Sequence, residues 1–235
     1  MKTKVILFDL DGTLLPMDQT KFVKAYLGGL AKRLAPHGYE PNTLADAIWK
    51  GMYAMITNDG AKRNEERFWE AFALAFGEKA REDEPYFERF YIEDFDDVQT
   101  SCGFDAKAAE TVKALKKKGF RLALATNPVF PSIATEKRMR WAGLDKSDFE
   151  LFTTYENSRY CKPNLAYYQD ILSKLNVSAE DCLMVGNDVA EDMIAKELGM
   201  KVFLMPAYLL NKDGADVSGY PQGNFDDLLA YVDGL

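Results

Sequence analysis

Residues 5–13 read Val-Ile-Leu-Phe-Asp-Leu-Asp-Gly-Thr, and the architecture expected of the chain follows from them. The apolar run, β-branched residues first, predicts a short strand that is buried on both faces, as in a parallel sheet. Asp9 and Asp11 come where this strand ends. Because residues two apart on an extended chain point the same way, both carboxylates are expected to face the crevice where open α/β proteins bind their ligands. Taken alone, the stretch is equally compatible with a strand and an ordinary Asp-Gly turn.

The composition limits the classes of function. The chain has 235 residues, of which 47% are hydrophobic, enough for one sizeable core or for a core that carries a smaller second unit. Its 29 basic and 37 acidic residues give a net charge of -8, so no nucleic-acid partner is expected. No stretch approaches the length of a membrane span and no signal peptide is recognisable, so no membrane partner is expected either.

Cysteine and histidine usage points to a cytoplasmic protein. Cys102, Cys161 and Cys182 are scattered and odd in number, which is typical of a reducing compartment rather than of a disulfide scaffold. The only histidine in the sequence, His37, follows a proline and precedes a glycine, away from any other candidate catalytic group. The sequence therefore disfavours Ser-His and Cys-His mechanisms and a histidine-based zinc site.

Two regions of the chain differ in their hydrophobic pattern. In the first, apolar residues recur at helical spacing without a strand candidate, and they predict helices near residues 18–34, 44–56, 64–76 and 84–95. In the second, strands and helices alternate. The predicted strands cover residues 120–125, 149–154, 182–185 and 202–204, and the predicted helices cover residues 105–118, 132–141, 165–175, 188–198 and a terminal segment from residue 225.

This alternation implies right-handed crossovers and a parallel sheet, to which the first strand also belongs. We therefore predict an α/β fold with a three-layer, Rossmann-like parallel-sheet core and an inserted all-helical cap domain. The core is predicted to comprise residues 1–16 and 98–235, and the cap to comprise residues 17–97.

The predicted cap is rich in aromatic residues at helical spacing. We expect them to form the core of the helical bundle rather than a substrate cradle; they are Trp49, Tyr53, Phe68, Trp69, Phe72, Phe87 and Phe90. The loop at residues 58–64, which carries Lys62 and Arg63, is predicted to be solvated, and the alternative is that it reaches the crevice.

Four strand ends share the crevice in such a fold. The polar residues that follow them are Asp9 and Asp11, then Thr126 and Asn127, then Lys162, and then Asn187 and Asp188 with Asp192 one helical turn later. Each alone has an ordinary structural explanation, such as a turn hydroxyl, a solvated cation or a helix N-cap. Together, the carboxylates, the lysine, the hydroxyl and the backbone amides form the set that Mg²⁺-dependent phosphoryl transfer requires.

In this order and at these strand ends, the four groups resemble the four motifs of the haloacid dehalogenase superfamily. The inserted helices resemble the cap that many members carry between the first and second motifs. The resemblance covers nearly the whole chain, and it implies a Rossmann-like core, a divalent metal and an aspartate nucleophile.

The resemblance implies a role for each matched residue. Asp9 resembles the nucleophile that forms an aspartyl-phosphate, and Asp11 resembles the general acid that protonates the leaving oxygen and later activates water. Thr126 and the Asn127 N–H resemble the groups that bind the transferred phosphoryl group. Lys162 resembles the lysine that steadies the nucleophile and the phosphate charge. Asp9, the backbone carbonyl of Asp11 and an acidic residue of the fourth motif resemble the Mg²⁺ ligands.

The fourth motif departs from the commonest pattern, in which aspartate directly follows the glycine. Here Asn187 takes that place and Asp188 comes next. We predict that Asp188 is the metal ligand, that Asn187 contributes a carbonyl oxygen or an outer hydrogen bond, and that Asp192 binds either a metal-bound water or Lys162.

Asp11 distinguishes among the reactions of the superfamily. A halide leaving group needs no proton whereas an alkoxide does, so an acid at this position favours phosphate-ester hydrolysis over dehalogenation. The predicted partner is a small phosphorylated metabolite, with cap opening and closing gating its entry, and a monomer is compatible with the sequence. A phosphomutase is the alternative. A lapsed, metabolite-binding regulatory module is a further one, and four intact residues argue against it: Asp9, Asp11, Thr126 and Lys162.

Overall fold

The computed structural model describes residues 3–235, and a parallel sheet lies at its centre. Its strands are β1 (Val5–Phe8), β2 (Arg121–Leu124), β3 (Leu151–Phe152), β4 (Cys182–Gly186) and β5 (Lys201–Leu204). All neighbouring strands pair in parallel, in the order β3-β2-β1-β4-β5. The α/β class predicted from the sequence is confirmed, and β1 takes the central place.

The register of the sheet brings the polar strand ends together. Phe8, the last residue of β1, lies opposite Leu124 of β2 and Val185 of β4. The ladder continues one step further, because the Asp9 N–H donates to the Val185 carbonyl at 2.9 Å and the Ala125 N–H donates to the Phe8 carbonyl at 2.7 Å. The residues that follow these strands therefore start from the same edge of the sheet.

A long helical segment separates β1 from β2. It contains α1 (Gln19–Leu34), α2 (Pro41–Ile56), α3 (Asn64–Phe76), α4 (Lys79–Glu82) and α5 (Glu84–Arg89), followed by a π-helical turn (Phe90–Asp94) and a 3-10 helix (Phe95–Ser101). The described residues of this segment contain no strand, which agrees with an all-helical insertion. The exact division into a core of residues 1–16 and 98–235 and a cap of residues 17–97 stays a prediction.

The helix predicted over residues 84–95 is wrong in its second half. Phe90 and Phe95 are both fully buried although they are five residues apart. A π-helical turn places residues i and i+5 on the same face, and the Phe95 N–H indeed donates to the Phe90 carbonyl. The chain therefore forms a π-helical turn here instead of a regular α-helix, because this turn buries both rings.

Helices cover both faces of the sheet. They are α6 (Ala106–Lys117), α7 (Ser132–Trp141), α8 (Leu165–Leu175) and α9 (Phe225–Asp233). Ile6 and Phe8 of β1 pack into one core cluster with residues of α6, α7 and α9, whereas Val5 and Leu7 pack into another with residues of α8. The alternation of side chains along β1 thus produces three layers, with β1 between two apolar cores.

The predicted helix over residues 188–198 is also wrong in part, since only Met193–Leu198 is helical and that segment is a 3-10 helix. The preceding residues form a separate turn. The Asp192 carboxylate accepts the N–H of Asp188 at 3.0 Å and also binds Lys162. These contacts hold the turn against the strand ends, so it does not continue into the next helix.

The two connections between the helical segment and the sheet run side by side. Met17 and Cys102 form an isolated antiparallel bridge, and the Gly103 N–H donates to the Pro16 carbonyl at 2.8 Å. We call these four residues, 16, 17, 102 and 103, the hinge. Within residues 3–235, none of the helices is long and apolar enough to cross a membrane.

Candidate active site

Lys162 lies at the centre of the carboxylates that the sequence places at the strand ends. Its Nζ lies 2.9 Å from Oδ1 of Asp9 and 2.6 Å from Oδ1 of Asp192. All three side chains are buried. Burial alone would lower the pKa of the Lys162 ammonium, but the charges of Asp192 and Asp9 raise it well above its ordinary value. Lys162 is therefore a fixed positive charge that holds the Asp9 carboxylate in place.

The second oxygen of Asp9 faces the turn after β1. The Thr13 hydroxyl lies 3.2 Å from Oδ2 of Asp9 and 2.9 Å from Oδ1 of Asn187, whose amide donates to the Tyr208 carbonyl at 2.7 Å. A side chain at Gly12 would place its Cβ 2.4 Å from the Asn187 amide, and Gly12 has a φ of +90°. Only glycine allows both the turn and this close approach.

Asp11 forms a buried ion pair with Arg138, a residue that the sequence analysis did not identify. Arg138 is fully buried in α7, its Nη1 donates to Oδ2 of Asp11, and its guanidinium lies 4.5 Å from the centre of the Phe130 ring. The other oxygen of Asp11 is buried without a hydrogen-bond partner. Burial raises the pKa of Asp11 to about 6, although Arg138 opposes the shift. A carboxyl with a raised pKa retains its proton more readily than a surface aspartate, as a general acid must.

Arg138 carried a signal in the sequence. It lies four residues after Ala134 and three before Trp141, and both of these are buried on the inner side of α7. An arginine on the apolar face of a helix requires a buried anion. Asp11 satisfies that requirement.

Thr126 and Asn127 follow β2 and are tied to their surroundings. The Thr126 carbonyl accepts hydrogen bonds from the hydroxyls of Thr153 at 2.6 Å and Tyr167 at 2.8 Å. The Asn127 side chain accepts the Lys162 N–H at 3.2 Å and donates to Glu191 at 3.0 Å. These hydrogen bonds fix the conformation of the turn that carries the Thr126 hydroxyl and the backbone amides that follow it.

Glu191 is a second residue of the site that the sequence analysis missed. Burial raises its pKa to about 7, although Lys162 opposes the shift. It lies in the turn between Asp188 and Asp192, next to residues that were singled out, and spacing alone gave no reason to choose it.

The fourth motif divides its acidic residues between two tasks. Asp192 binds Lys162, one of the two contacts expected for it. Oδ1 of Asp188 accepts the N–H groups of Ala190 at 2.8 Å and Glu191 at 2.9 Å, which leaves its second oxygen free of those bonds. Among residues 3–235 no group of three or more His, Cys, Asp or Glu side chains is arranged to hold a metal ion.

The donor set nevertheless suits Mg²⁺. Mg²⁺ is usually bound through one or two carboxylates and keeps several waters, so it does not require a three-carboxylate cluster. Asp9, Asp188 and the Asp11 carbonyl offer only oxygen donors, and the buried second oxygen of Asp11 lacks a partner. Acidic side chains also outnumber Lys162 and Arg138 here, which favours a bound cation.

A cavity of about 330 Å³ lies between these residues and the first helices of the insertion. Asp11, Asn127 and Glu191 line it from the sheet side, and Tyr26 of α1 and Trp49 of α2 line it from the other side. It lies beside the strand ends where the crevice was predicted, although Asp9, Thr126, Lys162 and Asp188 do not line it.

The seven aromatic residues predicted to form the bundle core fall into three groups. Trp69, Phe72, Phe87 and Phe90 are buried, as predicted for a bundle core, and Phe68 is half-buried and packs against the same core. Trp49 and Tyr53 are exposed, at 45% and 69%, so the prediction is wrong for these two. The face of α2 that carries Trp49 turns toward the cavity rather than into the bundle.

The loop at residues 58–64 is not solvated throughout, contrary to prediction. Asn58 and Asn64 are buried and hydrogen-bonded to each other at 2.9 Å. The side-chain amide of Asn64 donates to the carbonyl of Pro128, the residue after Asn127, at 3.2 Å. The backbone N–H of Asn64 donates to the Ser158 carbonyl at 2.9 Å. The loop therefore rests on the segment that follows β2, while Lys62 points outward to a surface ion pair.

Comparison with known proteins agrees with this geometry. Residues 3–199 match the haloacid dehalogenase-like hydrolase family. A phosphoglycolate phosphatase of Colwellia psychrerythraea is 30% identical over 234 residues, which cover 95% of this chain and 92% of that protein.

Solved structures share the fold. A HAD phosphatase from Thermococcus onnurineus superposes with a TM-score of 0.60 at 18% identity, covering 100% of this chain and 99% of that one. A 2-haloacid dehalogenase from Pseudomonas syringae superposes with a TM-score of 0.65 at 20% identity, covering 99% of this chain and 98% of that one. Phosphatases and dehalogenases match about equally well, so the fold does not choose between the two reactions.

The family match spans most of the chain, and it confirms both the resemblance drawn from the four motifs and the prediction of a hydrolase with a Rossmann-like core and a helical cap. The chain belongs to the haloacid dehalogenase-like hydrolases.

Proposed function

We propose that this hydrolase is a Mg²⁺-dependent phosphomonoesterase that acts on a small organic phosphate. The observation that carries the proposal is the buried contact of 2.9 Å between Lys162 and Asp9, with Asp11 two residues further on in the same crevice. A fixed cation beside one carboxylate and a raised pKa on the other suit a nucleophile and a proton donor. The phosphatase name of the Colwellia relative supports the same reaction class.

The chemistry assigned to these residues has two steps. In the first, an oxygen of Asp9 attacks phosphorus, the bond from phosphorus to the leaving oxygen breaks, and Asp11 gives that oxygen a proton. In the second, Asp11 takes a proton from water, the water oxygen attacks phosphorus, and inorganic phosphate leaves Asp9. The Thr126 hydroxyl and the Asn127 N–H bind the oxygens of the transferred group, and Lys162 balances their charge.

The charge balance explains the need for a metal. An ionised Asp9 about 4 Å from a phosphate dianion meets repulsion of roughly 4 kcal/mol for each charge pair at an effective dielectric near 20. Mg²⁺ would supply positive charge against this repulsion, and Asp9, the Asp11 carbonyl and Asp188 are the residues proposed to hold it. Lys162 is already engaged by two carboxylates and cannot supply that charge alone.

Turnover of p-nitrophenyl phosphate and a panel of metabolite phosphates tests the proposal. We expect inorganic phosphate to be released with Mg²⁺ and not after chelation, and Asp9→Asn to abolish release. Asp59→Asn, an exposed aspartate of the same chain, is the control and should leave turnover unchanged. Transfer of phosphate to a second hydroxyl without release would instead indicate a mutase, and inactivity across the panel would indicate a binding module.

The metal ligand is tested separately. Asp188→Asn should weaken Mg²⁺ binding by about tenfold or more, measured as the Mg²⁺ concentration that gives half-maximal turnover. Asp192→Asn should act mainly on stability, because it removes a partner of Lys162. If only Asp192→Asn weakens Mg²⁺ binding, the assignment of Asp188 is wrong.

A further inference from the structure

A second cavity, of about 380 Å³, lies beside the proposed catalytic crevice. The walls of the two cavities have five residues in common, Tyr26, Ile48, Met52, Val129 and Phe130. The second cavity extends from this shared wall between α3, α5 and the segment after β3, and its volume is within the range of small-molecule sites. The proposed mechanism uses none of the residues that line it beyond the shared wall.

The cavity is negatively charged. Glu65, Glu84, Glu88 and Glu156 line it, and among the described residues no lysine, arginine or histidine does. Glu84 is paired with Arg81 at 3.7 Å, whereas no ion pair within residues 3–235 involves the other three. Burial, followed by the nearby charges of Glu156 and Glu84, raises the pKa of Glu65, although Arg63 and Arg81 oppose the shift. A cation in the cavity would relieve this repulsion.

Two residues that line the cavity each carry a buried polar atom without a hydrogen-bond partner. Oε1 of Glu156 accepts the Ser132 N–H at 2.8 Å, but its Oε2 is buried without a hydrogen bond. Trp69 is 3% exposed, and its indole N–H lies beside the Tyr155 hydroxyl without reaching full hydrogen-bonding geometry. Buried polar groups in folded proteins are nearly always satisfied, so the unpaired carboxylate oxygen of Glu156 favours a positive group on this side of the cavity.

Aromatic rings make up much of the remaining wall. Trp69 packs edge-on against Phe87 at 5.3 Å between ring centres, and Tyr26 and Tyr91 share a hydrogen bond of 2.9 Å between their hydroxyls. Aromatic faces combined with carboxylates are the surroundings that recognise alkylated ammonium groups. The carboxylates do not converge as metal ligands within the described chain, and apolar rings suit a hydrated Mg²⁺ poorly.

We propose that this cavity binds a small organic ammonium ion. Glu156 and Glu65 balance its charge, and the rings of Trp69 and Phe87 pack against its alkyl groups. The ion is either the far end of a phosphate ester in the adjoining crevice or a separate effector. Only the first of these rests on the proposed phosphatase function.

Binding of choline, compared with its neutral isostere 3,3-dimethylbutan-1-ol, tests the site by titration calorimetry on the full chain. We expect choline to bind about tenfold more tightly or better. Glu156→Gln keeps an acceptor for Ser132 and should abolish the preference. Glu82→Gln, an exposed glutamate of the same segment that does not line the cavity, should keep it. Equal binding of both probes, no binding of choline, or an unchanged preference in Glu156→Gln overturns the proposal.

Kinetics then identify the source of the ammonium group. If it is the far end of the substrate, choline competes with substrate, and phosphocholine is hydrolysed about tenfold more efficiently than 3,3-dimethylbutyl phosphate. If it is an effector, choline changes the turnover of p-nitrophenyl phosphate without competing. If the protein binds choline but hydrolyses no phosphate ester, the proposed phosphatase function is wrong and the proposed ammonium site stands. If it hydrolyses phosphate esters but does not bind choline, the ammonium site is wrong and the phosphatase function stands.

Discussion

Lys162 is the residue whose removal tests the organisation of the site most directly. It is buried between Asp9 and Asp192 and forms an ion pair with each carboxylate. Lys162→Met would leave two buried carboxylates without a cation, which should lower the free energy of unfolding by about 3–5 kcal/mol and abolish turnover. Urea denaturation and phosphate release measure the two effects.

A second substitution separates stability from activity. In Lys162→Met combined with Asp192→Asn, one of the unpaired charges is gone, so much of the stability should return while turnover stays lost. A single Lys162→Met variant as stable as the wild type would show that the buried pairing does not hold the Asp9 carboxylate.

Asp9 and Thr126 could be predicted because each directly follows an apolar run that forms a strand, so its position follows from the sheet. Lys162 and Asp192 lie further from the strand ends and were identified as members of the four-motif set. Arg138 and Glu191 could not be found in that way, since they come from α7 and from a turn and reach the site only through the packing of those elements. The place of Arg138 on the apolar face of α7 indicates a buried anion but does not identify Asp11 as its partner, and the spacing of Glu191 carries no signal.

At the scale of elements, the loop at residues 58–64 joins the helical insertion to the segment after β2. Asn64→Ala removes the hydrogen bond to the Pro128 carbonyl and leaves the Asn58 amide with one partner fewer. We expect a loss of about 1–3 kcal/mol in the free energy of unfolding, because these groups are buried. Thermal or urea unfolding measures it.

Asn42→Ala is the matched control for this prediction. Asn42 also lies in the first turn of a helix of the insertion, but it is exposed. Its replacement should change stability by no more than about 0.5 kcal/mol. If both variants lose the same free energy of unfolding, the buried hydrogen bonds of Asn64 do not contribute to stability as predicted.

Helices and strands were predictable where periodicity and caps agree. Asp18 caps α1 and Asp105 caps α6, and each lies at the start of a helix that the sequence pattern predicted. The errors fall at Phe90–Asp94 and Met193–Leu198, where burial of two rings or a bond to Lys162 overrides local preference. Such overrides depend on partners that are distant in the sequence.

At the scale of the whole molecule, cap movement is expected to pass through the hinge. Met17 and Cys102 face each other there as an antiparallel pair, and such pairs have Cα atoms about 4.5–5.5 Å apart, a distance that a disulfide can span. Met17→Cys should therefore form a disulfide with Cys102 and join the two connections. We expect oxidation to lower turnover roughly tenfold and a reducing agent to restore it, since substrate entry needs the cap to open.

Met17→Cys with Cys102→Ser is the control, because it makes the same change in the cavity wall without the crosslink. Its turnover should not respond to oxidation. If the crosslinked form is as active as its reduced form, opening at the hinge is not part of the catalytic cycle.

The strand order is the part of the architecture that spacing left open. Alternating helices and strands predicted a parallel sheet but not which strands are neighbours, because several right-handed arrangements satisfy the same pattern. The central place of β1 comes from the pairing of its residues with both β2 and β4.

Because β1 is paired on both sides and its four side chains are fully buried, its amides should be among the last to exchange with deuterium. The helical insertion is attached through the hinge and through contacts with the core such as Phe95 against Trp141 and Asp96 with Lys137, and opening these contacts alone costs less than global unfolding. On warming, the helical insertion should therefore open away from the substrate while β1, which precedes Asp9, is still folded. Inactivation would then precede melting and reverse on cooling.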